Sequence, residues 1–294
     1  MKTFQAELAI DIQTNLGEGP LWNEEHQKLY FVDIVDKKLY SFDEENQELK
    51  NWEFDTYTSA VAKYKNDELL ICEQHQLLKI NIKTNEITPL LQLDLAENIR
   101  TNEAKPDASG NFWIGTMDIE AKEKQGAFYF VSKNGKVKKV LNNLSVPNGF
   151  CWSLDNQYLY HVDSFDYAVK QFTFNRKTQS LSKGEVLFDL KKYLALPDGV
   201  CMDSLGRLWI ALLGGFKVIC FNPLTRKVEA IVLVDAPNVT SCIFGGKNLE
   251  TLYITTASYG MSENELQQHP KSGAVFSCKI DVKGLLSNTA QLSI

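Results

Sequence analysis

Short apolar stretches alternate with polar turns along the whole chain. Leu29-Tyr30-Phe31-Val32 follows the turn Asn23-Glu24-Glu25-His26, and Leu69-Leu70-Ile71-Cys72 follows Lys65-Asn66-Asp67. Phe112-Trp113-Ile114-Gly115 follows Asp107-Ala108-Ser109-Gly110-Asn111, and Tyr158-Leu159-Tyr160-His161-Val162 follows Leu154-Asp155-Asn156-Gln157. Leu208-Trp209-Ile210-Ala211-Leu212 follows Asp203-Ser204-Leu205-Gly206, and Leu252-Tyr253-Ile254-Thr255 follows Gly245-Gly246-Lys247-Asn248. Runs this short, bounded by Asn, Asp and Gly, read as buried strands rather than helices.

Each pattern is one unit of a repeat with a period of roughly 40 to 50 residues, the spacing of propeller blades. A third apolar run, such as Lys38-Leu39-Tyr40-Ser41-Phe42 or Lys170-Gln171-Phe172-Thr173-Phe174, continues the unit. A polar turn, such as Asn175-Arg176-Lys177-Thr178 or Asn222-Pro223-Leu224-Thr225, leads to a fourth strand, as an exposed hairpin requires. No long helical periodicity interrupts the series. The pattern predicts an all-β fold, a six-bladed β-propeller, with residues 1–294 forming a single domain.

The sixth unit has only three good strands, ending in Gly273-Ala274-Val275-Phe276-Ser277-Cys278-Lys279-Ile280. The leading stretch Phe4-Gln5-Ala6-Glu7-Leu8-Ala9-Ile10-Asp11-Ile12 has no place in the first. It is expected to supply the missing outer strand and so close the ring, which removes a long open edge.

Three units open on the same unusual grammar: Gly17-Glu18-Gly19-Pro20, Val146-Pro147-Asn148-Gly149 and Leu196-Pro197-Asp198-Gly199. Pro stiffens the backbone and Gly lets it bend, so each mouth presents one oxygen-bearing side chain on a sharp turn. Innermost propeller strands converge on the axis, which brings Glu18, Asn148 and Asp198 towards one point. Any one of them alone reads as a turn cap. Three equivalent positions offering only oxygen, two of them carboxylates, suit a hard divalent cation.

Composition narrows the function classes. The net charge of −6 argues against non-specific nucleic-acid binding. No apolar run approaches the ~20 residues of a membrane helix, and the first residues lack a signal-peptide core. The six cysteines, Cys72, Cys151, Cys201, Cys220, Cys242 and Cys278, are scattered and read as buried free thiols of a cytoplasmic protein. Cys151 and Cys201 follow the candidate ligand turns by three residues and read as packing. No serine-nucleophile elbow, paired His motif or dinucleotide-binding glycine motif is present. His161 in a strand and His26 in a turn read as core and surface.

Gly17-Glu18-Gly19-Pro20-Leu21-Trp22, Gly115-Thr116-Met117, Pro147-Asn148-Gly149, Asp163-Ser164, Pro197-Asp198-Gly199 and Gln268-His269-Pro270-Lys271-Ser272-Gly273 together resemble the SMP-30/gluconolactonase/luciferin-regenerating enzyme-like family, which includes regucalcin. The resemblance runs in order through nearly the whole chain. It implies a six-bladed propeller with one catalytic divalent metal held by Glu18, Asn148 and Asp198. It also implies substrate contacts from Arg100, Asn102 and Glu120. Three positions depart from the family pattern: its Asn-Asp-Gly-Lys run is Asn102-Glu103-Ala104-Lys105 here, changed at 103 and 104, and Asn111 stands where the family has Arg.

The expected function is therefore a metal-dependent, gluconolactonase-like lactonase acting on a sugar-derived or similar small lactone. Its ion would be calcium first, with zinc, magnesium or manganese as alternatives. Asp198 is the candidate base for the attacking water. A calcium-binding regulatory protein and a metal-dependent phosphotriester hydrolase on the same scaffold stand as rival readings.

Overall fold

The computed structural model describes residues 1–175 and 177–294. Six antiparallel sheets of consecutive strands follow one another along the chain as the blades of a β-propeller. Their innermost strands are Gly17–Asn23, Thr58–Lys65, Ile99–Pro106, Pro147–Trp152, Leu196–Met202 and Val239–Gly245. The polar turn expected at Asn175-Arg176-Lys177-Thr178 includes Arg176, which lies outside the described residues. Among the described residues, no helix is long and apolar enough to cross a membrane.

Ring closure differs in one respect from the sequence expectation. The leading stretch is two strands, not one. Glu7–Ile10 pairs antiparallel with Val275–Lys279 and completes blade six as expected. Lys2–Gln5 instead adds in parallel to the outer strand of blade five, Lys227–Leu233. The chain crosses between the two blades at buried Ala6, whose N–H donates to the Leu233 carbonyl at 2.9 Å. Two blades are thus tied by one short segment.

The core is divided among the blade interfaces. One apolar cluster fills each, as with Leu21, Tyr30 and Val32 of blade one against Val61, Leu69 and Ile71 of blade two. Blades three and four meet through aromatic rings, with Phe128 edge-on to Phe150 at 4.9 Å and Trp113 edge-on to Phe174 at 4.9 Å. Apolar strands on both faces of each sheet therefore bury against two neighbours, which is why the runs read as continuously hydrophobic.

Polar turns hold the ends. In blades three and five an Asp starts the turn and reaches the Trp six residues later. Asp107 accepts from Trp113 Nε1 at 3.0 Å, and Asp203 accepts from Trp209 Nε1 at 2.9 Å. Arg207 donates to Asp203 at 2.7 Å, and the departure Asn111 makes the equivalent contact to Asp107 at 3.1 Å. The shorter amide thus preserves the turn.

His161 lies in the blade three–four core, edge-on to Phe128 and Phe172, and its Nε2 has no hydrogen-bond partner. Burial, then the nearby Lys170, pushes its pKa down to about 3. An unfolded chain titrates this group near 6.5, so below that pH only the unfolded state takes up the proton. Stability is fully present above about pH 6.5 and falls by up to about 1.4 kcal/mol per pH unit towards pH 3. Urea unfolding at pH 7 and pH 5 should show the wild type losing about 2 kcal/mol more than His161→Phe, in which this proton site is absent. Equal losses would show that another group controls the acid limb.

Candidate active site

Every innermost strand is bulged at the same end. The register shifts fall at Glu18/Leu21, Thr58/Ala60, Thr101/Ala104, Pro147/Phe150, Pro197/Val200 and Val239/Ser241. A bulge adds a residue on one strand and re-aims its side chain. Here the bulges turn Glu18, Asn102, Asn148 and Asp198 into the buried mouth of the channel.

The glycines that follow Asn148 and Asp198 serve space rather than φ, whereas Gly19 after Glu18 has a φ of +52°. Neither Gly149 nor Gly199 has a positive φ. A Cβ on Gly149 would lie 2.4 Å from the Asp198 carbonyl oxygen, and one on Gly199 would lie 2.0 Å from Ser241 Oγ. Neighbouring blades therefore touch backbone to backbone at the mouth, where a side chain would force them apart.

Acidic residues at the ends of the second strands fasten the loops that enter the mouth. Asp33 accepts from the Asn15 and Leu16 N–H groups, Glu73 from Asp55 and Thr56, and Asp163 from Ser145 and Val146. Asp163 of the Asp163-Ser164 pair is thus a loop anchor. Ser164 is part of the site, accepting from Asn148 Nδ2 at 2.9 Å and donating to the Pro197 carbonyl at 2.8 Å.

A hydrogen-bond chain runs through the site across three blades. Arg100 Nη1 donates to Asn102 Oδ1 at 2.7 Å, and Asn102 Nδ2 donates to Asn148 Oδ1 at 2.8 Å. Asn148 then donates to Ser164. This fixes the Asn148 amide with its oxygen towards Asn102 and leaves that oxygen one further lone pair.

Glu18 and Asp198 are buried and in carboxyl–carboxyl contact, and Asp198 Oδ1 has no hydrogen-bond partner. Burial raises the pKa of both, and repulsion from the other acids of the site adds to it. Two buried carboxyls share such a place only with a proton or a cation between them. Oxygen-only donors, two of them potentially charged, and an orphaned buried oxygen fit a hard divalent ion. Among the described residues no group of three His, Cys, Asp or Glu is spaced to hold a metal, so the Asn148 amide would be the third donor.

Arg100 is buried, lies over the Tyr57 ring at 5.9 Å, and has no carboxylate partner among the described residues. Burial lowers its pKa to about 10, so it stays cationic at neutral pH. Glu120 stands apart from this group. It sits in the loop after Phe112–Asp118, at the same end of the blade as Arg100, but its carboxylate is exposed and pairs with Lys122 at 2.6 Å. Glu103 and Lys105 are closer to the centre than the sequence reading allowed. Glu103 is buried beside Glu18 and Asp198 and pairs with Lys105 at 2.5 Å.

All six cysteines are free, five buried and Cys151 half-buried. Cys201 and Cys242 pack with Sγ atoms 3.7 Å apart in the channel wall. Burial pushes the Cys151 thiol up to about 12, which suits packing and not a nucleophile.

A family model described as "SMP-30/Gluconolactonase/LRE-like region" matches residues 16–258. The chain is 33% identical over 282 residues to "Putative sugar lactone lactonase YvrE" of Bacillus subtilis, covering 96% of this chain and 97% of that protein. It is 32% identical over 292 residues to regucalcin of Homo sapiens, covering 97% and 98%. The solved structure of a calcium-binding protein, regucalcin, from Agrobacterium tumefaciens superposes with a TM-score of 0.93 at 26% identity, covering 99% of this chain and 100% of that one.

Proposed function

Because the chain belongs to the SMP-30/gluconolactonase/LRE-like family, we propose that it is a metal-dependent lactonase acting on a sugar-derived or similar small lactone. Glu18, Asn148 and Asp198 would hold the single divalent ion, with calcium the first candidate and zinc, magnesium or manganese the alternatives. When bound, such an ion supplies Lewis-acid polarisation of the lactone carbonyl.

The chain's own residues divide the remaining work. Asp198 takes a proton from the water that attacks the carbonyl carbon. The ring C–O bond then breaks, and Asp198 returns the proton to the departing alkoxide, which leaves a hydroxy acid. Arg100, with no carboxylate of its own, donates to substrate oxygens. Asn102 orients Arg100 and Asn148 together. Glu120, at the exposed rim, would reach hydroxyls at the far side of a bound sugar.

The observation that carries this reading is the presence in one mouth of a buried Asp198 Oδ1 with no hydrogen-bond partner and a buried Arg100 with no carboxylate partner, among the described residues. A mere ion store has no use for the second. The test is turnover of a panel of sugar lactones by the purified protein before and after chelation, and with each ion restored. Metal-restored hydrolysis is expected. Full activity in chelator would remove the metal from the mechanism. Tight ion binding with no lactone turnover would favour a calcium-binding role, and turnover of phosphotriesters alone would favour the phosphotriesterase reading.

A further inference from the structure

We propose that Lys105 is a positioning residue that sets the spacing between Asn148 and Asp198. This rests on those two side chains being ligands of the same ion. Lys105 comes from the inner strand of blade three and reaches across the channel to blades four and five. Its ammonium donates to the Val200 carbonyl at 2.9 Å and the Phe150 carbonyl at 3.3 Å, and it pairs with Glu103 at 2.5 Å. Three donors meet three oxygens.

The two carbonyls are not arbitrary. Phe150 lies two residues after Asn148, and Val200 two residues after Asp198. Each is the first residue paired again after the bulge. Among the described residues, both strands are sheet edges with no partner strand on the channel side. Between them the backbones already touch, since a Cβ on Gly149 would meet the Asp198 carbonyl and the Val200 N–H. Contact at Gly149 stops the strands from approaching, and Lys105 stops them from parting. Glu103 holds the ammonium in place from one side.

Electrostatics and geometry predict opposite signs for the loss of this group. Removing a positive charge beside a cation site strengthens cation binding if Coulomb attraction is all that matters. Removing a clamp weakens it. The experiment compares the double variant Glu103→Gln/Lys105→Met, in which neither charge is left without its partner, with Glu103→Gln, in which the ammonium keeps its two carbonyls, and titrates each with calcium and with manganese ions by calorimetry. The double variant is expected to bind roughly 10- to 100-fold more weakly, the range seen when a group supporting a metal ligand is lost. Equal or tighter binding overturns the proposal.

If the double variant does not fold, Lys105→Arg carries the test. It keeps the charge but not the point geometry, and weaker binding is again expected, with unchanged affinity overturning the clamp. A wild type that takes up no ion would refute the ligand set itself. The clamp would then be judged by amide hydrogen exchange at 149–151 and 199–201. Faster exchange in the double variant supports it, and unchanged exchange overturns it.

Discussion

Asp198→Asn should lose turnover on the order of 10²- to 10⁴-fold at saturating metal, while the metal-free variant melts at a higher temperature than the wild type. The two effects share one cause. In the wild type Glu18 and Asp198 are buried against each other; burial resists the charged forms of both, Glu103 repels each of them, and Glu18 repels Asp198. An Asn at 198 can donate an N–H to Glu18, which removes the repulsion without changing the side chain's size. Relief of about 1–2 kcal/mol is reasonable for such a buried pair, and it corresponds to a rise of a few degrees in Tm for a chain of this size. The amide keeps an oxygen for a cation but has no basic lone pair for the proton of water. A kinetic assay with metal in excess, beside a melting curve in chelator, reads both. Near wild-type turnover would refute Asp198 as the base. A lower melting temperature in chelator would show that the carboxyl pair is not a source of strain. A site built for function at the expense of stability should show the opposite movements together.

The blades were legible because their signal is local. Each apolar run, its Asn/Asp/Gly turn and its next run lie within one repeat, and Trp113 and Trp209 sit at the same offset from Asp107 and Asp203. The mouths were legible for the same reason, since Glu18, Asn148 and Asp198 each carry a neighbouring Gly and Pro. What escaped the reading depends on distant pairing or on bulge geometry. Nothing in Lys2-Thr3-Phe4-Gln5 announces a parallel addition to blade five, because the partner strand lies more than two hundred residues away. The segment after Lys279 has no strand pattern. It nonetheless crosses the end of the channel opposite Glu18, with Gly284 N–H donating to the Leu249 carbonyl and Ala290 N–H to that of Lys63.

In the sequence Glu103 stands out only as a departure from a family pattern, and Lys105 only as the Lys that the pattern keeps. Regular alternation would send residues 103 and 105 to the same side, but it could not say which, because the Thr101/Ala104 bulge resets the register. The bulge explains why a run as polar as Arg100-Thr101-Asn102-Glu103 is buried. Glu120 shows the converse. Its place was inferred from resemblance alone, and its side chain lies exposed against Lys122 rather than with Arg100 and Asn102.

Arg100→Ala should separate substrate holding from metal holding. The guanidinium donates within the site to the Thr101 carbonyl at 2.9 Å and to Asn102 Oδ1 at 2.7 Å, and to no carboxylate among the described residues. Its loss leaves the Asn102–Asn148 bond in place, because that bond uses the Asn102 amide nitrogen. It also removes a positive charge from the neighbourhood of Glu18 and Asp198, both of which help sustain the Arg100 cation. Ion affinity should therefore be no weaker than in the wild type, and slightly tighter at low salt. Substrate is affected instead. A charge-assisted hydrogen bond to a substrate oxygen contributes about 1.5–3 kcal/mol, so kcat/KM should fall roughly 10- to 150-fold. Most of the loss should appear in KM, to the extent that the contact is equal in ground and transition states. Arg100→Lys should recover only part, since a point charge cannot reproduce a planar fork that serves Asn102 and substrate together. Weaker ion binding in Arg100→Ala, measured by the same titration, would place the guanidinium in the architecture of the ligands. A fall in kcat with KM unchanged would mean that it acts on charge that develops only in the transition state.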